Sequence, residues 1–186
     1  MALQIPRRLF SVDEFERMID AGVFPPDERS ELVRGEVVEM APIGLRHAAC
    51  VARIQTLLTE ALGRSAIVWV QNPIRLAGNS LPQPDVALLL PREDYYEQSR
   101  PTPQDVLLVV EVSDSTLEYD MRVKMPLYAE AGILEVWIVN LQDNVIDVYT
   151  QPVLGAYASI QHMQEGQSIR LSARHAVSLQ VEAIIR

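Results

Sequence analysis

Apolar and polar positions along the chain alternate with two periodicities, which divide it into short helices and strands. Ser11 followed by Glu14 has the form of a capping box and predicts a helix that ends at Asp20-Ala21-Gly22. A rigid turn at Phe24-Pro25-Pro26-Asp27 comes next. Ser30 to Met40 reads as a hairpin, with Glu31-Leu32-Val33 and Glu36-Val37-Val38-Glu39-Met40 joined at Arg34-Gly35. A second helix is expected from about His47 to Leu62, with Val51, Ile54, Leu58 and Ala61 on one stripe and Gly63 as its cap. Strands follow near Ala66–Leu76 and Val86–Leu90, then a polar, proline-rich surface loop from Pro91 to Pro103 and a strand Val106–Val112. Val86–Leu90 and Val106–Val110 are wholly apolar, the pattern of strands covered on both faces. A helix over about Tyr119 to Ala131 leads to strand Leu134–Asn140, a tight turn at Asp143-Asn144 and strand Val145–Thr150. Tyr157 to Arg186 reads as weaker strands and a short tail. The order predicts an α/β (α+β) fold in one domain over residues 1–186, a mixed central sheet with helices on its faces.

Composition changes this picture little, but charge and residue usage sharpen it. The net charge of −9 argues against a protein that coats nucleic acid, which normally presents a basic face. It leaves room for an enzyme with a local basic patch, and for carboxylates gathered to hold a divalent cation. No apolar run reaches the roughly 18 residues of a membrane helix, so no membrane partner is expected. Arg7 and Arg8 are not followed by an apolar segment, so no export signal is expected either. A lone cysteine, Cys50, fits a reducing cytoplasm and offers no zinc spacing. Gly-rich phosphate loops are absent, and neither Ser113 nor Ser115 lies in a nucleophile elbow. Ser115 with Glu118 reads as a local helix cap.

Two acids stand where acids are costly. Asp85 opens the apolar strand after Gln83-Pro84, and Glu111 ends the run Val106–Val110. A carboxylate at the edge of a buried sheet must be paired, protonated or bound to a cation. On neighbouring strand ends the two can share a hard cation such as Mg2+, with the backbone carbonyl of Val112 as a third oxygen. The bland alternatives are a turn acid after proline for Asp85 and a salt bridge to Lys124 or an arginine for Glu111.

The chain has fifteen arginines and a single lysine, Lys124. A position that keeps lysine points to a compact ammonium with a tunable pKa, although a solvated helix residue is the usual fate of lysine. Met121, Lys124, Tyr128 and Ala131 share one helical stripe, which turns Lys124 toward the sheet. Asp120 can pair with it at i, i+4 or cap the helix, and Pro126 predicts a kink. His47 opens its helix and can approach phosphate or water, though a structural role is more usual there. Tyr95-Tyr96 can stack on a base, and the acidic segment Glu93 to Glu97 around them is either a contact surface or a loop. Trp69 and Trp137 are expected in the core.

Pro84-Asp85 followed by Glu111-Val112-Ser113 resembles the PD-(D/E)XK nuclease superfamily, with serine in place of the usual lysine and that lysine moved to the next helix. The string Val110 to Asp120, then Lys124-Met125-Pro126-Leu127-Tyr128-Ala129-Glu130-Ala131-Gly132, is similar to the Uma-type family of bacterial restriction-endonuclease-like proteins. The similarity extends through Glu135-Val136-Trp137-Ile138-Val139 and back to Glu31-Leu32-Val33-Arg34-Gly35-Glu36, so it spans roughly Ser11 to Tyr149. The resemblance implies a restriction-endonuclease-like fold and metal-dependent hydrolysis of DNA phosphodiesters, with Mg2+ as cofactor and Mn2+ as a substitute. It implies Asp85 and Glu111 as ligands, Lys124 as the migrated lysine and Glu31 as an additional acid near the metal. On its own residues Glu31 reads as a charged surface position. A homodimer that cuts both strands is a further implication. A binding or scaffold protein without turnover, or a hydrolase of another phosphoester such as RNA, are the rival readings.

Overall fold

The computed structural model describes residues 7–25, 28–174 and 176–186. The N-terminal six residues, and Pro26 and Asp27 of the expected Phe24-Pro25-Pro26-Asp27 turn, therefore lie outside the described residues. Helix α1 (Val12–Asp20) opens with the full reciprocal capping box, the Ser11 side chain on the Glu14 N–H and the Glu14 side chain on the Ser11 N–H. It buries Phe15 and Val12 against Leu32 and Leu81. Strands β1 (Ser30–Val33) and β2 (Glu36–Glu39) form the expected two-residue hairpin. Arg34 and Gly35 both take positive φ, 49° and 82°, as such a turn requires.

Gly35 has a second constraint: a Cβ there would meet the Leu9 Cβ at 2.7 Å and the Phe10 carbonyl at 3.0 Å. Gly35→Ala is thus expected to cost about 1–3 kcal/mol of stability in urea unfolding, from strain and overlap together. An unchanged midpoint and slope would contradict the close approach of the N-terminal segment to the hairpin.

Helix α2 (Leu45–Leu62) starts two residues before the expected His47, with Gly44 as N-cap, and Gly63 closes it. Val51, Ile54 and Leu58 are buried as the stripe predicts, but Ala61 is exposed and Leu62 takes its place. Strand β3 (Ile67–Val70) is shorter than the Ala66–Leu76 run. The chain leaves the ladder at Gln71, which takes φ 50°, and Pro73 then offers no N–H.

Six strands make the central sheet, in the order β3, β4 (Val86–Leu89), β5 (Val106–Ser113), β6 (Glu135–Asn140), β7 (Val145–Val153), β8 (Ala156–Met163). Only β5 and β6 are parallel, and the helical crossover between them is what a parallel pair demands. The sheet is therefore mixed, with helices against it, as the sequence order predicts. Leu108, Val110 and Val112 of β5 pack with Trp137 and Val139 of β6 under α2. Val109, Val136 and Ile138 join the opposite core, which holds Met125, Leu127 and Tyr128 from the crossover. Strand alternation consequently sends Glu111 to the crossover side, one position from the apolar Val112 on the other face.

The crossover is not the uniform helix expected from Tyr119 to Ala131. It comprises a single turn α3 (Leu117–Tyr119), a π-helical turn over Asp120–Lys124, and α4 (Met125–Glu130). The Met125 N–H bonds back to the Asp120 carbonyl, five residues earlier. This wide turn sits immediately before Pro126, so the missing proline N–H falls at the start of α4, where it breaks no regular ladder. The added residue per turn also breaks the predicted stripe: Lys124 and Tyr128 are buried, but Met121 is exposed.

The C-terminal third holds more structure than weak strands and a tail. β7 continues past Thr150 to Val153 and turns through Leu154-Gly155, both at positive φ, into the eight-residue β8. Strands β9 (Ser168–Arg170) and β10 (Ser178–Gln180) pair separately, and helix α5 (Val181–Ile185) packs Ile184 and Ile185 into the α2 core.

Candidate active site

Asp85, Glu111, Lys124 and Glu31 come from four elements far apart in sequence and line one cavity of about 660 Å3. All four are buried, between 1% and 7% exposed, so each charge must find its partner inside. The Lys124 ammonium lies 3.1 Å from Glu111 Oε1 and 3.5 Å from Glu31 Oε2. The Tyr128 hydroxyl donates to Glu111 Oε1 at 2.6 Å, and the Tyr119 hydroxyl to Glu31 Oε1 at 2.8 Å. The Gln83 N–H completes the hold on Glu31 at 3.0 Å. Asp85 Oδ2 accepts the Val112 N–H at 2.8 Å and stands 3.0 Å from His47 Nε2.

The electrostatics follow from this crowding. Burial alone would lower the Lys124 pKa, but Glu111, Glu31, Asp120 and Asp85 together push it well above the ordinary lysine value. Lysine is therefore an ammonium here, and four carboxylates surround it. Burial pushes the Glu111 carboxyl up to about 8, with Asp120 and Asp85 adding to the rise and Lys124 and Tyr128 opposing it. For Asp85 burial is overcome by His47, the Val112 N–H and Lys124, which hold it below the ordinary carboxylate range. Burial raises Asp120, against the pull of Lys124 and of its two hydroxyl donors.

These donors fit a hard divalent cation. Among the described residues, the protein contacts of Glu111 fall on Oε1 and those of Asp85 on Oδ2, which leaves one oxygen of each for the cavity that both line. A strand residue points its C=O to the same side as its N–H, and the Val112 N–H points at Asp85. Among the described residues no group of three or more His, Cys, Asp or Glu side chains is placed to hold a metal ion, so a cation here would have two carboxylates at most and would keep several waters, in the manner of Mg2+. The excess of carboxylate over ammonium gives such an ion its electrostatic reason to bind.

Several expectations need correction. Asp120 makes no ion pair with Lys124 among the described residues and is not a helix N-cap but the residue that closes α3. Its Oδ2 instead accepts the Ser113 and Thr116 hydroxyls, each at 2.7 Å, while Lys124 is drawn to the two glutamates. Thr116, not Ser115, occupies the cap position of α3, without a side-chain cap bond. Tyr96 cannot stack on a base: it is buried edge-on to Trp69, with its hydroxyl on the Leu90 carbonyl and Arg92 over its ring. Trp137 is wholly buried and donates to Glu135, whereas Trp69 is only half-buried.

Tyr119 and Arg29 line the cavity and Tyr128 supports Glu111 from behind it, roles that the sequence pattern does not reveal. Both tyrosines lie in the lysine-bearing string, and that was their one visible signal. His47 was noted at its helix start, but nothing local announced Asp85 as its partner.

The mixed sheet, with a helical crossover between its one parallel pair, has the form of a restriction-endonuclease-like fold. The Uma2 family, described as "Putative restriction endonuclease", matches residues 12–182, and the chain belongs to it. A crystal structure of "a putative nuclease belonging to DUF820" from Anabaena variabilis ATCC 29413 superposes with a TM-score of 0.72 at 13% identity. The match covers 95% of this chain and 97% of that one, and it establishes the shared fold. No curated protein matches the chain. Among the described residues, no helix is long and apolar enough to cross a membrane.

Proposed function

We propose that this protein is a Mg2+-dependent endonuclease that hydrolyses DNA phosphodiester bonds, with Asp85, Glu111 and the Val112 carbonyl as metal ligands and Lys124 as the catalytic ammonium. The observation that carries this reading is the convergence of Asp85, Glu111 and Lys124 in one cavity with an unshared oxygen left on each of the two carboxylates. A divalent cation held there would polarise the scissile phosphate and lower the pKa of a bound water. Lys124 orients the attacking water and offsets negative charge that develops on the phosphoryl oxygens. Glu31 and Glu111 fix the ammonium from two sides, and Tyr119 and Tyr128 fix the glutamates. His47 and the Val112 N–H hold Asp85 in one orientation. One domain over residues 1–186, a homodimer and a cytoplasmic location belong to the same reading.

The test is supercoiled plasmid incubated with Mg2+ or Mn2+, comparing wild type with Asp85→Ala. Loss of about 10^2-fold or more in nicking is expected when a ligand is removed. Equal cleavage by both proteins would place the activity elsewhere or in a contaminant. The net charge of −9 favours a second reading, a binding protein without turnover. Absence of cleavage on DNA and RNA with either metal would support it.

A further inference from the structure

Among the described residues only two buried side-chain nitrogen or oxygen atoms have no hydrogen-bond partner, Arg29 Nη2 and His47 Nδ1. Both residues line the same cavity. The two unpartnered atoms are themselves enclosed, so it is another part of each side chain that borders the cavity. His47 already touches Asp85 through its other nitrogen. Arg29 has no such tie: no carboxylate lies within 4 Å of its guanidinium among the described residues. The other cavity-lining cations differ, since Arg122 pairs with Glu118 at 3.1 Å and Lys124 is engaged by Glu31 and Glu111.

The placement of Arg29 is dictated by the hairpin. It precedes β1 by one residue, and the Met40 N–H bonds to its carbonyl, so the ladder extends to it. Strand alternation puts residues 29 and 31 on one face, and Glu31 is aimed at Lys124. One strand thus delivers an acid to the lysine and, one repeat away, an arginine with no carboxylate within 4 Å among the described residues. A partly buried guanidinium without a carboxylate is costly, and the group that best satisfies its fork of donors is a phosphate oxyanion.

We propose that Arg29 is the anchor for a phosphate of the substrate strand, a binding subsite separate from the carboxylate and lysine cluster. It deepens the nuclease reading, and it acts on affinity rather than on the reacting phosphate.

Two probes separate this subsite from that reading. The first is inorganic phosphate, titrated by NMR into metal-free wild type, Arg29→Ala and Arg29→Lys. The second is a short fluorescent oligonucleotide, followed by anisotropy without divalent metal over a range of salt. Arg29→Ala is expected to weaken both probes about tenfold or more and to lower the salt slope by about one, with partial recovery in Arg29→Lys. Replacing single phosphates of the oligonucleotide by neutral methylphosphonate should show one position at which wild type weakens and Arg29→Ala does not. A merely structural role would not produce that position. Melting temperature is the folding control, and Arg29→Ala should melt at or above wild type, because an uncompensated charge is removed. Phosphate binding lost in Arg29→Ala upholds the subsite even if no strand is cut, so the nuclease reading can fail alone. Binding unchanged by the substitution, or no binding of either probe by wild type, overturns the proposal.

Discussion

Lys124→Met is expected to reduce metal-dependent cleavage by roughly 10^2- to 10^3-fold and to destabilise the fold at the same time. The two effects share one cause. Lys124 is the only cation within ion-pair distance of both Glu111 and Glu31 among the described residues, at 3.1 and 3.5 Å, and both glutamates are almost wholly buried. Removing one partner of a buried pair leaves an uncompensated charge, a loss of about 3–5 kcal/mol, whereas methionine keeps most of the packing volume. The loss should be smaller at pH 5 than at pH 8, because the Glu111 carboxyl, pushed up to about 8, is already protonated at pH 5 in wild type and has no counter-charge to lose there. Urea unfolding at both pH values, beside plasmid cleavage, checks both halves. A Lys124→Met protein as stable as wild type at pH 8 would show that the ammonium is not the counter-charge the geometry makes it.

Stability of the metal-free protein should fall between pH 5 and pH 8, and Glu111→Gln should flatten most of that fall. The folded-state pKa of Glu111, about 8, lies above its ordinary value of 4.5, so the folded chain binds this proton more tightly than the unfolded one. That stabilisation is complete below about 4.5 and is lost as pH rises toward 8. It amounts to a few kcal/mol, because each tenfold gain in proton affinity on folding corresponds to about 1.4 kcal/mol. Burial raises Asp120 in the same direction and leaves a residual slope, whereas Lys124 remains charged throughout this window. Mg2+ should raise the melting temperature of wild type at pH 8 and release a proton as Glu111 ionises, with a smaller response in Glu111→Gln. Parallel pH profiles for the two proteins, with no response to Mg2+ in either, would remove the metal from the reading.

The sequence exposed the parts of this site whose oddity is local. An acid opening or ending an apolar strand is conspicuous at Asp85 and Glu111, and a single lysine is conspicuous by count. Glu31 carries no such mark. A glutamate in a short hairpin looks solvated until Gln83 and Tyr119 close over it from other parts of the chain. Arg29 and His47 are silent for the same reason, since their significance is a missing partner or a distant one. In the fold, the long apolar runs gave the central strands to within a residue or two. The π turn was hidden because periodicity assumes a constant turn, although Pro126 marked the place. Pro152 obscured the length of β7, which is compatible with proline there because β6 pairs it only as far as Thr150. Helix α5 was too short for any periodic signal, and its stability comes from contact with α2.

The crossover between the two parallel strands has a consequence for synthesis. Glu31, Asp85 and Glu111 are all made before Lys124, and part of the core into which the crossover packs, Val136 and Ile138 of β6, is made after it. A nascent chain stopped between residues 111 and 124 holds all three acids without the lysine. The counter-charge for the buried Glu31 and Glu111 is thus the last part of the cluster to be synthesised, and until it arrives the two acids have no ammonium to face.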